Sequence, residues 1–149
     1  MKLIHSISNR KLFVLTPAFS FSVEASSGKG ACLNNSSINC QKARFEGPIP
    51  VGQYILNPSE LSDPGVLGDI ARNYRPDSPG DWGDFRIPIK AMGSGSQFAR
   101  SGFFIHGGSV TGSAGCIDIG GGLFGNASTK LFKQAVSMAS GPIALEVRR

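Results

Sequence analysis

The sequence predicts a mainly β fold with one principal helix near its C-terminus, and three observations predict it. Apolar and polar residues alternate through much of the first 25 residues, as in strands half-buried in a sheet. The 149 residues include 20 glycines, more turn-forming material than a helical bundle uses. A single stretch, near the end, repeats its apolar residues at helical spacing. The length fits one domain, residues 1–149, with no internal repeat and no linker dividing two cores.

Residues 2–7 and 11–16 read as short strands around a Ser8-Asn9-Arg10 turn. Residues 18–25 alternate Phe19, Phe21 and Val23 with serines and a glutamate, giving a third strand. Residues 26–44 are small and polar and read as a long loop. Gly47-Pro48-Ile49-Pro50-Val51-Gly52 then enters a strand over 53–56, since proline suits a strand entrance or edge where no ladder donor is needed. Residues 57–80 are irregular, with one helical turn around 66–72. Residues 85–90 and 103–106 are the next strands. Asn126 or Ser128 can cap a helix in which Leu131, Phe132, Ala135, Val136 and Ala139 recur at helical spacing. Gly141-Pro142 stops it, and 143–147 form a last strand.

Composition narrows the function. A net charge of +5, from 15 Lys plus Arg against 10 Asp plus Glu, favours anionic partners. The basic residues are scattered, so they form a solvated surface and not a nucleic-acid stripe. No apolar run reaches the roughly 18–20 residues of a membrane span. Lys2, Arg10 and Lys11 ahead of Leu12-Phe13-Val14-Leu15 imitate a signal peptide, but Pro17, Ser20 and Ser22 interrupt it, so we expect none. Cys32 and Cys40 bracket a polar loop, and both a short disulfide and two free thiols fit that spacing. Three cysteines and two scattered histidines make a zinc site an unfavoured reading. Asp69, Asp77, Asp81 and Asp84 lie in a Pro/Gly-rich segment, where turn capping is the ordinary role.

The chemistry concentrates in Phe103-Phe104-Ile105-His106-Gly107-Gly108, followed by Ser109-Val110-Thr111-Gly112-Ser113-Ala114-Gly115-Cys116-Ile117-Asp118. An apolar strand delivers His106 to its end, and a glycine-rich loop brings the chain back to Cys116. Such a loop can hold an imidazole beside a sulfur and aim backbone N–H groups at a developing oxyanion. A thiolate beside an imidazolium has a lowered pKa and is a competent nucleophile. On residue chemistry alone, this reading and an inert buried thiol both stand. A phosphate loop is disfavoured, because no Gly-Lys-Ser/Thr follows the glycines.

The 106–118 stretch resembles the catalytic motif of the L,D-transpeptidase (YkuD-like) family, most closely its type VI secretion effectors with L,D-transpeptidase and L,D-carboxypeptidase activity. Asn9-Arg10-Lys11-Leu12 looks like that family's opening hairpin. Ser26-Ser27-Gly28 and Gly47-Pro48-Ile49-Pro50-Val51-Gly52-Gln53-Tyr54 look like its strand, loop and Pro-x-Gly-x-Tyr entrance. Ordinary members carry Ser-His-Gly-Cys before a basic residue; here Ala114 replaces that histidine and Asp118 the basic residue.

The resemblance implies a YkuD-like catalytic domain of sandwich or barrel-like sheets. It also implies acyl transfer through a thioester on the stem peptide of peptidoglycan, with no metal or organic cofactor. Cys116 would be the nucleophile and His106 its base, oriented by the Gly107 carbonyl. The N–H groups of Gly115 and Cys116 would form the oxyanion hole. Arg100 could pair with a substrate carboxylate or be a solvated cation. Ser113 could bond substrate or stiffen its loop. Tyr54 and Trp82 could wall the cleft or belong to the core. The implied setting is delivery by a bacterial secretion apparatus into a target cell's periplasm, opposed by a cognate immunity protein. The rival classes are a non-catalytic peptidoglycan-binding module of the same fold and a cysteine peptidase for ordinary L-peptides.

Overall fold

In the computed structural model, which describes residues 1–65, 68, 82–93 and 97–149, the alternating N-terminal segment forms an antiparallel meander. Its strands are β1 (Lys2–Ser6), β2 (Lys11–Leu15) and β3 (Ser20–Glu24). Leu3, Leu12, Val14 and Val23 are buried on one face, while Lys2, Phe13 and Ser22 face outward. Arg10 closes the first turn with φ 54°.

The chain adds β4 (Ser26–Gly28), β5 (Gly52–Leu56), β6 (Arg86–Ala91), β7 (Phe103–His106), β8 (Ser113–Asp118) and β9 (Ile143–Arg148). Among the described residues these nine strands form one sheet in the order β3-β2-β1-β9-β5-β6-β7-β8-β4. The β1–β9 and β7–β8 pairs are parallel, and the others are antiparallel. The two ends of that order, β3 and β4, are separated in sequence by Ala25 alone. Two residue steps span at most about 7 Å, so the sheet has to curl until its ends nearly meet.

The enclosed core takes Tyr54, Leu56, Ile87, Ile105, Ile117 and Leu145 from the strands, all fully buried. The main helix, α2 (Ala127–Ser137), adds Phe132, Ala135 and Val136 to it. Asn126 caps the helix: its Oδ1 accepts from Thr129 N at 2.9 Å, and Thr129 Oγ1 accepts from Asn126 N at 2.7 Å. This reciprocal pair satisfies two amides that the first turn leaves without partners. No helix among the described residues is long and apolar enough to cross a membrane.

The strands predicted at 53–56, 85–90, 103–106 and 143–147 form within one residue of those bounds. The helical turn expected over 66–72 falls, but for Gly68, outside the described residues, as do Asp69, Asp77 and Asp81. Two readings change. Residues 26–44 hold β4, a 3₁₀ turn at Gly30–Cys32 and α1 (Ile38–Lys42), stapled by a Cys32–Cys40 disulfide with Cα atoms 5.3 Å apart. Residues 113–118, expected to belong to the loop, are the strand β8. Asp84 also does more than cap a turn, since it accepts from Lys133 Nζ at 2.6 Å.

His5 on β1 is fully buried, with Nδ1 3.1 Å from the Lys11 carbonyl and Nε2 shut away without a hydrogen-bond partner. Nδ1 therefore carries the proton of a neutral ring. Burial lowers the His5 pKa to about 4, against an opposing lift from that backbone bond. The unfolded chain binds the proton near pH 6.5 and the folded chain only near 4, so stability is present above 6.5 and lost as pH falls through this window. The loss attributable to His5 should be roughly 3 kcal/mol. Urea unfolding at pH 4 and pH 7 should show it, and His5→Leu should remove that share of the difference. An unaltered pH difference in the variant would mean His5 does not carry it.

Candidate active site

His106 ends β7 and Cys116 lies within β8. Parallel pairing sets Ile105 opposite Ile117 and His106 opposite Asp118. Across the other edge of β7, Arg86 faces His106 and Pro88 faces Phe104. Cross-strand partners share a face, so Ile87, Ile105 and Ile117 enter the core together. The opposite face then carries a rung Arg86–His106–Asp118, with Pro88, Phe104 and Cys116 one rung back. Strands are about 4.8 Å apart and rise about 3.3 Å per residue, which puts the His106 and Cys116 Cα atoms about 8 Å apart on the diagonal. Imidazole and thiol can close that gap.

Cys116 is 4% exposed. Burial pushes its thiol above the ordinary range. Phe104 backbone and Ser113 hydroxyl hydrogen bonds pull it down, the Asp118 carboxylate adds to the rise, and the Arg100 guanidinium also opposes it. The balance is upward, so the thiol gains no lowered pKa at rest. The resting group is a neutral thiol, and any nucleophilic role requires a proton to leave it first.

Asp118 organises the backbone around the pair. Its Oδ1 accepts from Gly108 N at 2.9 Å and Gly120 N at 2.8 Å, and its Oδ2 from Gly112 N at 3.3 Å. One carboxylate thus ties both ends of the β7–β8 loop and the turn after β8. Gly112 has φ +94°, and a Cβ there would lie 2.5 Å from the Gly28 carbonyl oxygen, so only glycine fits. The motif reading noted Asp118 merely as a departure from a basic residue. The available signal was an acid set among glycines whose N–H groups can converge on it.

Behind Cys116 runs a strap, residues 40–49. Ser27, itself fully buried, donates its hydroxyl to the Cys116 carbonyl at 2.6 Å and accepts from Ile49 N at 2.8 Å. Gly115 N donates to Gly47 O at 2.9 Å. That bond corrects the oxyanion expectation for Gly115, whose N–H is already committed to the strap. Arg100 grips the same segment, with Nη1 on the Gln41 and Pro48 carbonyls, both at 2.7 Å, and Nη2 on Gly47 O at 2.9 Å. It is neither solvated nor turned to a carboxylate, because its donors hold main-chain oxygens beside Cys116.

The other expected residues separate. Trp82 reaches the site, its ring edge-on to His106 at 5.7 Å and to Phe104 at 5.1 Å. Tyr54 does not wall the cleft: it is fully buried, packs against Phe103 and donates its hydroxyl to Pro50 O at 2.7 Å. That bond closes the Pro-x-Gly-x-Tyr turn upon itself. Gly107 O is packed against Gly83, where any Cβ would overlap it. Two clefts are lined by residues neighbouring Cys116 and His106 in sequence. One, about 530 Å³, is lined by Ser26, Asn34, Gly108, Thr111, Asp118 and Gly121. The other, about 230 Å³, runs past Arg44, Phe45, Arg100, Ala114 and Gly115.

Two outcomes follow. Asp118→Asn loses one charged acceptor and turns an amide donor toward glycine N–H groups, so urea unfolding should register a loss of about 2–4 kcal/mol; an unmoved midpoint would remove Asp118 as the organiser. Alkylation of native Cys116 by iodoacetamide should still be accelerating above pH 9, the thiol's ordinary value, because burial holds it higher. A plateau near neutrality would indicate a thiolate at rest.

No curated protein matches the chain. A family model described as the Tlde1 domain matches residues 22–139, which takes in every segment of the site above. The chain belongs to that family of L,D-transpeptidase-like type VI effectors.

Proposed function

We propose that this Tlde1-domain chain, as one catalytic domain over residues 1–149, cleaves the L,D bond of peptidoglycan stem tetrapeptides through a thioester on Cys116. The observation that carries the reading is the placement of Cys116 and His106 on one face of parallel-paired strands, one rung apart. Family membership supplies the type VI effector setting and the peptidoglycan target. His106 takes the proton from the neutral thiol as Cys116 attacks the carbonyl at the L-centre of the diamino acid. The imidazolium then protonates the departing D-alanine nitrogen as the tetrahedral intermediate collapses to the thioester. Water, deprotonated by His106, releases the tripeptide; alternatively the amine of a free D-amino acid takes the acyl group.

Gly115 N–H is held by the strap, so the oxyanion role falls to the N–H of Cys116. Low-dielectric surroundings make such a donor worth several kcal/mol, of the order of 3. Ser113, hydrogen-bonded toward the sulfur, helps hold it in line, and Trp82 walls the imidazole side. Arg100 acts as a positioning residue through the strap. The Cys32–Cys40 disulfide suits an oxidising compartment, which supports the target-cell periplasm as the place of action, with a secretion apparatus and an immunity protein as partners.

Incubating the reduced-and-reoxidised protein with a stem tetrapeptide and following the mass of the products tests this reading. Loss of terminal D-alanine, or its exchange for added D-methionine, is the expected result. Cys116→Ala should abolish it with an unchanged circular dichroism spectrum, and His106→Ala should cut it by about 10²–10⁴-fold. An intact tetrapeptide in the presence of folded protein would favour the non-catalytic binding module instead, and cleavage of an all-L peptide would favour an ordinary cysteine peptidase.

A further inference from the structure

We propose that Arg86 is a carboxylate-binding subsite beside the Cys116–His106 pair, with Trp82 and Phe104 as its walls. The identity of the substrate rests on the reaction proposed above; the subsite itself rests on geometry.

Arg86 shares the rung and the face of His106. Its backbone is clamped on the other side too, with Arg86 N donating to Ser62 O at 3.0 Å and Ser62 N to Arg86 O at 2.9 Å. The guanidinium lies 5.0 Å over the Trp82 ring and 5.5 Å over the Phe104 ring. Such contacts hold the cation by charge without spending its N–H donors as hydrogen bonds to oxygen, which leaves edge donors for a planar acceptor. No hydrogen bond or ion pair joins that edge to another described residue.

Several other cations are engaged. Arg100 is bound to three main-chain carbonyls. Lys133 is paired with Asp63 and Asp84, Lys90 with Glu60, and Lys2 with Glu146. Arg86 is a half-buried cation on the site's own face, held beside two aromatic rings, with a strand partner on one side, an isolated bridge to Ser62 on the other, and no ion pair to another described residue. A planar, bidentate carboxylate is the ligand class that matches this edge.

A stem tetrapeptide offers two such groups near the scissile bond: the terminal carboxylate of the departing D-amino acid and the side-chain carboxylate of a diaminopimelate residue. Substrates separate the sources. If the terminal group is bound, a tetrapeptide ending in D-alaninamide should show a raised KM in the native protein. If the side-chain group is bound, replacing diaminopimelate with lysine should do so. Arg86→Gln should erase whichever discrimination the native protein shows.

A second measurement needs no turnover. Cys116 is alkylated with iodoacetate, a carboxylate, and with iodoacetamide, its neutral counterpart, in native protein, Arg86→Gln, Arg86→Lys and the charge control Lys130→Gln. The ratio of the two rates should fall about tenfold in Arg86→Gln, the scale of one charge-assisted contact at about 1.4 kcal/mol. It should fall less in Arg86→Lys, and it should not move in Lys130→Gln. An equal ratio in native protein and Arg86→Gln overturns the subsite, as does a variant that slows both reagents alike. If the ratio depends on Arg86 while tetrapeptides stay intact, the subsite stands and the reaction falls. If tetrapeptides are cleaved while the ratio ignores Arg86, the reverse holds.

Discussion

Ala25 joins the two ends of the sheet formed by the described strands, and that single-residue link constrains much of what surrounds Cys116. Because β3 cannot travel far before becoming β4, the sheet must curl until its last strand lies against β8. Strand β8 is therefore bonded on both edges, by β7 in parallel and by β4 antiparallel. A cysteine in such a strand has a fixed backbone and little solvent. The same closure brings Ser27 under the Cys116 carbonyl, linking β8 to the strap of residues 40–49.

That rigidity has an electrostatic consequence. The sulfur sits in a site dry enough to hold its proton, and neither the Ser113 hydroxyl nor the Arg100 charge reverses the effect of burial. A low-dielectric site also strengthens any hydrogen bond made to a charge that develops there. A neutral thiol at rest is thus compatible with a competent nucleophile, provided an imidazole on the same face accepts the proton during attack. The fold supplies that face through register: His106 and Cys116 owe their relation to the parallel β7–β8 pairing more than to the loop between them.

Much of the fold was legible because its strands obey local rules. Phe19, Phe21 and Val23 alternate, Gly141-Pro142 ends a helix, and Asn126 stands where a cap is needed. Cys116 and His106 were singled out by the motif, and the β7–β8 pairing sets them on one face. What escaped depends on residues distant in sequence. Ser26-Ser27-Gly28 has no pattern of its own and becomes a strand because β8 reaches it. Ser113-Ala114-Gly115 likewise looks like loop until Gly28 of β4 and Gly47 of the strap bond to it. Arg100 and Tyr54 each had a site role and an ordinary one open to them, and each finds main-chain carbonyls that no local window reveals. Arg86 sits in an unremarkable strand and gains its interest only from standing across from His106.

The departures of this chain from the ordinary YkuD-like motif then acquire a physical sense. Asp118 stands where a cation is usual, and its carboxylate is occupied by the N–H groups of Gly108, Gly112 and Gly120. A basic residue could not accept those bonds, so the loop geometry and the acid belong together. The positive charge on this face is found instead at Arg86, on the far side of the imidazole. Ala114, in place of a histidine, leaves room along the cleft of about 230 Å³ that passes Arg44 and Arg100. The exchange moves the cation from β8 to β6 and leaves a carboxylate behind it, so His106 stands between opposite charges on a single rung.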